Sequence, residues 1–138
     1  LMVIDIDHFK QVNDVYGHLM GDQVIQFVAE KLKENIRTSD LLVRYGGDEF
    51  IVLIENVGME RALKIAEKIR SEIYEAKSVD NVRCPDLKVS ISIGVAIGAT
   101  SWMALLEKAD RALFQAKEQG KNKVVAYSVD EVNESYYI

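Results

Sequence analysis

Two glycines, Gly46-Gly47, separate the apolar runs Leu41-Leu42-Val43 and Phe50-Ile51-Val52-Leu53-Ile54, and two adjacent carboxylates, Asp48 and Glu49, follow them directly. This pattern predicts a β-hairpin, because a Gly-Gly pair can take the positive φ that both central positions of a type I′ turn require. By itself such a hairpin is a tight turn with a solvated acidic edge. A second acidic segment changes that reading. Leu1-Met2-Val3-Ile4 is an apolar run that stops at Asp5-Ile6-Asp7-His8-Phe9-Lys10, the pattern of a buried central strand ending in acid. Strand alternation puts Asp5 and Asp7 on one face and turns the Ile6 side chain to the other, leaving its carbonyl at the strand end. Carboxylate and carbonyl oxygens suit a hard divalent ion such as Mg²⁺, which completes its shell with water and substrate phosphates. A hairpin lying beside the first strand would bring Asp5, the Ile6 carbonyl and Asp48 or Glu49 to one such ion.

The rest of the chain alternates elements. A short helical stretch from Phe9 to Val15 leads through Gly17 and Gly21 to a helix over about 22–36, whose inner face is Val24, Ile25, Val28 and Leu32. After the hairpin comes a helix over about 59–76, with Ala62, Leu63, Ala66, Ile69 and Ile73 as its core stripe. Residues 87–97 read as a strand with Val89, Ile91, Ile93 and Val95 on one face. Ser101 is the expected N-cap of a helix over 102–118 that Gly120 ends, and 124–127 is a last short strand. The fold class is therefore α/β, a central mixed, antiparallel-rich sheet flanked by helices.

Composition narrows the partners. With 138 residues, 49% hydrophobic and 28% charged, the chain suits one globular domain. A net charge of −5 disfavours a general nucleic-acid or membrane surface, so phosphate recognition must be local. The single cysteine, Cys84, lacks an internal disulfide partner and is read as a loop residue before Pro85, as suits a reducing cytoplasm. No run is long enough to span a bilayer, and no signal peptide is visible.

Taken in order, Asp5-Ile6-Asp7-His8-Phe9-Lys10, Asn13-Asp14, Gly17-His18, Gly21-Asp22, Arg44 to Phe50, Ser90 to Ala96, Ala109 to Lys117 and Gly120-Lys121-Asn122 resemble the GGDEF domain of bacterial diguanylate cyclases. The resemblance covers nearly the whole chain. It implies a ferredoxin-like palm as in nucleotide cyclases, and condensation of two GTP to cyclic di-GMP and two pyrophosphates, each 3′-hydroxyl attacking the other nucleotide's α-phosphate. Because one site holds one GTP, catalysis would need a homodimer. Two Mg²⁺ ions per site are expected, with Mn²⁺ as an alternative. Family members usually carry a further amino-terminal helix and an upstream regulatory region, so residues 1–138 are expected to be a single domain lacking both, cytoplasmic even where a longer parent is membrane-tethered.

The resemblance also assigns roles. Asp5, the Ile6 carbonyl and Asp48 match metal positions; Asp48 is also the candidate for accepting the 3′-hydroxyl proton, with Glu49 as a second candidate for metal or base work. A metal-bound carboxylate is a weak base, which favours the metal role. Gly46 and Gly47 would let ribose and phosphate approach the backbone. Lys10, Lys117 and Lys121 would meet phosphates, Lys121 standing where relatives often carry arginine and so lacking its bidentate fork. Lys117 also reads as compensation of a helix dipole. Guanine presents N1–H and the 2-amino group as donors, so Asp22 could select GTP, with Asn13 adding a contact and His18 holding the loop. Asp22 reads equally as an N-cap and His18 as a packed or capping histidine. Arg37-Thr38-Ser39-Asp40 resembles the family's product-inhibition site, though Arg37 at a helix end and Asp40 in a turn are also locally favourable. A module that binds GTP or cyclic di-GMP without turning it over is the alternative function.

Overall fold

The computed structural model describes residues 1–76, 87–98 and 100–128. Cys84 and Pro85 lie outside them. The opening apolar run forms β1 (Met2–Ile6), buried along its whole length as a central strand must be. Then follow α1 (Phe9–Tyr16), α2 (His18–Asn35), β2 (Leu41–Arg44), β3 (Glu49–Leu53), α3 (Met59–Glu75), β4 (Ile91–Val95), α4 (Trp102–Glu118) and β5 (Val124–Ala126). The sheet order is β2-β3-β1-β4-β5. β1 pairs antiparallel with β3 and β4, β2 antiparallel with β3, and β5 parallel with β4. This is the mixed, antiparallel-rich sheet that the sequence predicts.

Alternation sorts side chains between the two faces. Met2, Ile4, Ile6, Phe50, Val52, Ile91, Ile93 and Val95 face the core under α1, α2 and α3. Leu1, Val3 and Ala96 join Leu105, Ala109 and Leu113 of α4 on the other face, with Ile51 and Leu53 packed against them. Asp5 and Glu49 belong, by parity, to the α4 face. Ser101 caps α4 as expected, its hydroxyl accepting from the Ala104 N–H at 3.2 Å. No helix among the described residues is long and apolar enough to cross a membrane.

Three local expectations are corrected. The hairpin is not a type I′ turn: Gly46 and Gly47 are absent from the positive-φ glycines, which are Gly17, Gly98 and Gly120. Tyr45 to Asp48 instead form a longer loop closed by the Tyr45 N–H on the Glu49 carbonyl at 2.8 Å. The Arg44 guanidinium clasps the loop from within, donating to the carbonyls of Gly46 at 3.2 Å and Gly47 at 2.8 Å. Second, α2 begins at His18 with Gly17 (φ 89°) as its N-cap, so Asp22 lies inside the helix and does not cap it. Gly21, expected in the loop, is buried in that helix because α1 packs on it: a Cβ there would sit 1.8 Å from Asn13 Oδ1. Third, only Ile91–Val95 of the expected strand joins the ladder, while Leu87 and Val89 are buried beyond its end.

Candidate active site

The β1–β3 register sets Asp5 directly opposite Glu49. One residue on, the Ile6 N–H donates to the Asp48 carbonyl at 3.0 Å, fixing the hairpin tip to the strand end. Carboxylate oxygens of Asp5, Asp48 and Glu49 consequently lie within 4.8 Å of one another. Like charges facing each other across a strand pair are destabilising, so this arrangement calls for a cation. Asp5 is only 7% exposed, and its Oδ1 is buried with no hydrogen-bond partner. Its other oxygen, Oδ2, contacts the Lys117 ammonium, which α4 brings down on the same face. Burial lowers the Lys117 pKa, but the bond to Asp5 and the fields of Asp5, Glu49 and Asp48 outweigh it and hold the group above its ordinary range. A buried orphan oxygen among three carboxylates is a hard-ion donor set, and these residues fit Mg²⁺.

An open cleft of about 640 Å³ extends from this cluster, lined among others by Asp5, Ile6, Lys10, Asp48, Lys117 and Lys121. Six residues singled out by sequence thus share one cavity wall. Carboxylates and lysines line it together, which suits a metal-bound polyphosphate. Asn13, His18, Asp22, Gly46 and Gly47 do not line that cleft. His18 and Asp22 are exposed on α2, and Asn13 reaches Gly21, beside Asp22. A Cβ on Gly47 would meet nothing within 4 Å, and on Gly46 only the Glu49 side chain, at 3.7 Å or more. The protein's own packing therefore does not demand either glycine, and the open space above them is available to a ligand.

Arg37 and Asp40 form a separate unit where α2 joins β2. The Arg37 backbone N–H donates to Asp40 Oδ2 at 2.8 Å, Nε to Oδ2 at 3.3 Å and Nη2 to Oδ1 at 3.2 Å, while Nη2 also reaches the Glu55 carbonyl at 2.7 Å. Burial pushes the Asp40 carboxyl up, but these bonds and the guanidinium charge prevail and hold it below the ordinary range.

The family described as "Diguanylate cyclase, GGDEF domain" matches residues 1–123. The chain belongs to the GGDEF family. It is 43% identical over 132 residues to the "Probable diguanylate cyclase DgcT" of Escherichia coli (strain K12), covering 94% of this chain and 29% of that protein. It is 42% identical over 127 residues to the "Response regulator PleD" of Caulobacter vibrioides (strain NA1000 / CB15N), covering 90% of this chain and 28% of that protein. The chain thus spans under a third of the length of these two relatives. Among solved structures, the GGDEF domain of DgcB from Caulobacter crescentus, in complex with c-di-GMP, superposes with a TM-score of 0.85 at 32% identity, over 91% of this chain and 75% of that one. The five-stranded sheet of this GGDEF domain is the architecture that the sequence resemblance implied.

The role of one residue on the Asp5 face is set by partners distant in sequence. Asp7 shares a face with Asp5 but its carboxylate is consumed by hydrogen bonds from Ser90, Ser92 and Asn122. The alternating Asp-Ile-Asp was the only signal available for it.

The electrostatics of Asp5 predict a pH dependence. Burial is the largest influence and pushes its carboxyl from an ordinary 3.8 to about 6, Lys117 opposing and Asp48 adding to the rise. A divalent ion requires the deprotonated form, so Mg²⁺ affinity is expected to fall as pH drops through about 6. For the metal-free chain the sign reverses. The folded state binds more protons than the unfolded one between about 3.8 and 6, so Asp5 lowers stability as pH rises across that window. Calorimetric Mg²⁺ titrations and urea melts at pH values on both sides of the window check both trends.

Proposed function

We propose that this domain is a diguanylate cyclase, joining two GTP molecules to cyclic di-GMP with release of two pyrophosphates across a two-fold pair of chains. The observation that carries the reading is the buried, unpartnered Asp5 oxygen beside Glu49 and Asp48 in a cleft that Lys10, Lys117 and Lys121 also line. Asp5, the Ile6 carbonyl and Asp48 would hold Mg²⁺, two ions per site, with Mn²⁺ as a substitute. Such ions neutralise phosphate charge and lower the pKa of an attacking hydroxyl.

The chain's own residues do the remaining work. Lys10, Lys117 and Lys121 bind the β and γ phosphates, and Lys117 exchanges its contact with Asp5 for the polyphosphate when the nucleotide arrives. The backbone at Gly46 and Gly47 lets the ribose lie flat on the hairpin. Asp48, at the hairpin tip, receives the proton of the 3′-hydroxyl, with Glu49 at the start of β3 as the second candidate. Asp22 accepts from guanine N1–H and the 2-amino group, a pattern adenine cannot offer. Asn13 and His18 complete that end of the site. Since Asp22 does not cap α2, its carboxylate is free for this task. Arg37 and Asp40 take up cyclic di-GMP as a product-inhibition site, the guanidinium turning from Asp40 and Glu55 to the ligand.

One variant separates the guanine contact from folding. Gly21→Ala would place a Cβ 1.8 Å from Asn13 Oδ1 and 3.0 Å from its Cγ, so the Asn13 side chain must swing away. Alanine favours a helix over glycine by about 1 kcal/mol, which offsets the disturbance. The expected result is a melting temperature close to that of the parent with GTP affinity lowered about tenfold, the scale of one lost hydrogen bond. The reaction itself is tested by incubating the chain, dimerised through a fused coiled coil, with GTP and Mg²⁺. Cyclic di-GMP and pyrophosphate in a ratio of one to two support the cyclase; GTP binding without product indicates the sensing module.

A further inference from the structure

Three residues in succession after α4 take left-handed conformations: Gly120 (φ 109°), Lys121 (φ 65°) and Asn122 (φ 48°). Glycine does this freely and asparagine readily as a single residue, but lysine holds such a conformation only where its surroundings impose it. The restraints on this turn are specific. The Asn122 backbone N–H donates to Asp7 Oδ2 at 3.0 Å, Arg70 Nη1 on α3 donates to Asn122 Oδ1 at 2.8 Å, and the Ile93 N–H donates to the Lys123 carbonyl at 3.0 Å.

Asp7 is the buried charged side chain of that set, 6% exposed. Besides Asn122 it accepts from Ser90 Oγ and Ser92 Oγ, each at 2.7 Å. Three donors converge on two oxygens, and no cation is among them. A carboxylate engaged in this way is less free than Asp5 to take a metal ion, although it stands two residues from it and lines the same cleft. What it joins is informative. Asp7 directly follows the strand that carries Asp5, and the turn that it grips carries Lys121 and closes the helix that carries Lys117, both of which line the cleft.

We propose that Asp7 is a positioning residue: its buried carboxylate clamps the turn at 120–123 to the end of β1 and so sets Lys117 and Lys121 at the level of the triphosphate. This rests on the nucleotide reading given above. An amide in its place removes the negative charge that strengthens all three bonds, so the hold on the Asn122 N–H weakens even where the serine hydroxyls turn to accept from the new NH₂ group. Released from Asp7, the turn can relax out of the left-handed region and carry the Lys121 ammonium away from the cleft.

The test uses the whole chain and two readouts. In the absence of nucleotide, Asp7→Asn is expected to speed amide exchange at Asn122 by about tenfold or more, while amides in the middle of α4 keep their rates. Affinity for 3′-deoxy-GTP, which lacks the attacking hydroxyl, should fall by about tenfold, the scale on which outer-shell partners act. In a Lys117→Ala/Lys121→Ala background that fall should shrink, because the lysines through which Asp7 acts are gone. Arg70→Met loosens the same turn from α3, on the far side from the acids, and should shift both readouts in the same direction if Asp7→Asn does not fold. Unchanged Asn122 exchange in a folded Asp7→Asn chain, an undiminished loss of affinity in the double-alanine background, or no response to Arg70→Met each overturns the proposal. If the double-alanine chain itself keeps full nucleotide affinity, the nucleotide reading fails instead, and the nucleotide-free exchange measurement distinguishes the two failures.

Discussion

Asp48→Asn is expected to lower cyclic di-GMP formation by about 10³-fold or more, the scale of losing a charged group aimed at the reacting phosphate. The same change should leave the metal-free chain as stable as before, or more so. The reason lies in which atoms of Asp48 serve which purpose. Its carbonyl accepts the Ile6 N–H that pins the hairpin tip, and the substitution leaves that bond intact. Its carboxylate stands among those of Asp5 and Glu49, where it raises the Asp5 pKa, and its attraction to the Lys117 ammonium is the smallest of the influences on that group. Removing one of three crowded negative charges relieves repulsion in the absence of a cation. Loss of activity with an unchanged or raised melting temperature fits a catalytic and metal-binding role. A melting temperature lowered by several degrees, with activity falling only in proportion to the folded fraction, would mark Asp48 as a structural residue.

Gly94→Ala is expected to be the most damaging single substitution for the fold, lowering stability by about 3 kcal/mol or more. A Cβ on Gly94 would lie 2.1 Å from the Ala109 carbonyl oxygen and 2.3 Å from the Leu113 nitrogen. Both are backbone atoms of α4, so relief requires the helix to lift from β4 rather than one side chain to turn. Lifting α4 opens the packing of Leu105, Ala109 and Leu113 on Val3, and it also withdraws Lys117 from Asp5. Urea unfolding followed by circular dichroism measures the loss. A variant within 1 kcal/mol of the parent would show that α4 sits more loosely on the sheet than described.

The sequence made the acidic cluster legible because two simple periodicities intersect there. Strand alternation put Asp5 on the opposite face from Ile6, and hairpin pairing brought Glu49 against it. Helix α4 was equally readable, since Ser101 caps it and its apolar stripe is regular. The misread features depend on contacts that local sequence does not encode. Gly21 resembles a loop glycine until α1 is packed on it. The hairpin loop follows the Arg44 clasp rather than the intrinsic preference of Gly-Gly. Asp7 was the hardest to interpret: Ser90 lies 83 residues along the chain from it and Asn122 lies 115, so no spacing rule could have joined them.

Under the proposed function, carboxylates from β1 and the hairpin tip hold a divalent ion over a nucleotide triphosphate. Anomalous diffraction from crystals grown with Mn²⁺ and 3′-deoxy-GTP tests it most directly. Manganese peaks are expected bonded to the carboxylates of Asp5 and Asp48 and to phosphate oxygens, with the Lys117 ammonium moved from Asp5 to the polyphosphate. Nucleotide bound in the cleft with no manganese between Asp5 and Asp48, or manganese seated elsewhere, would contradict it.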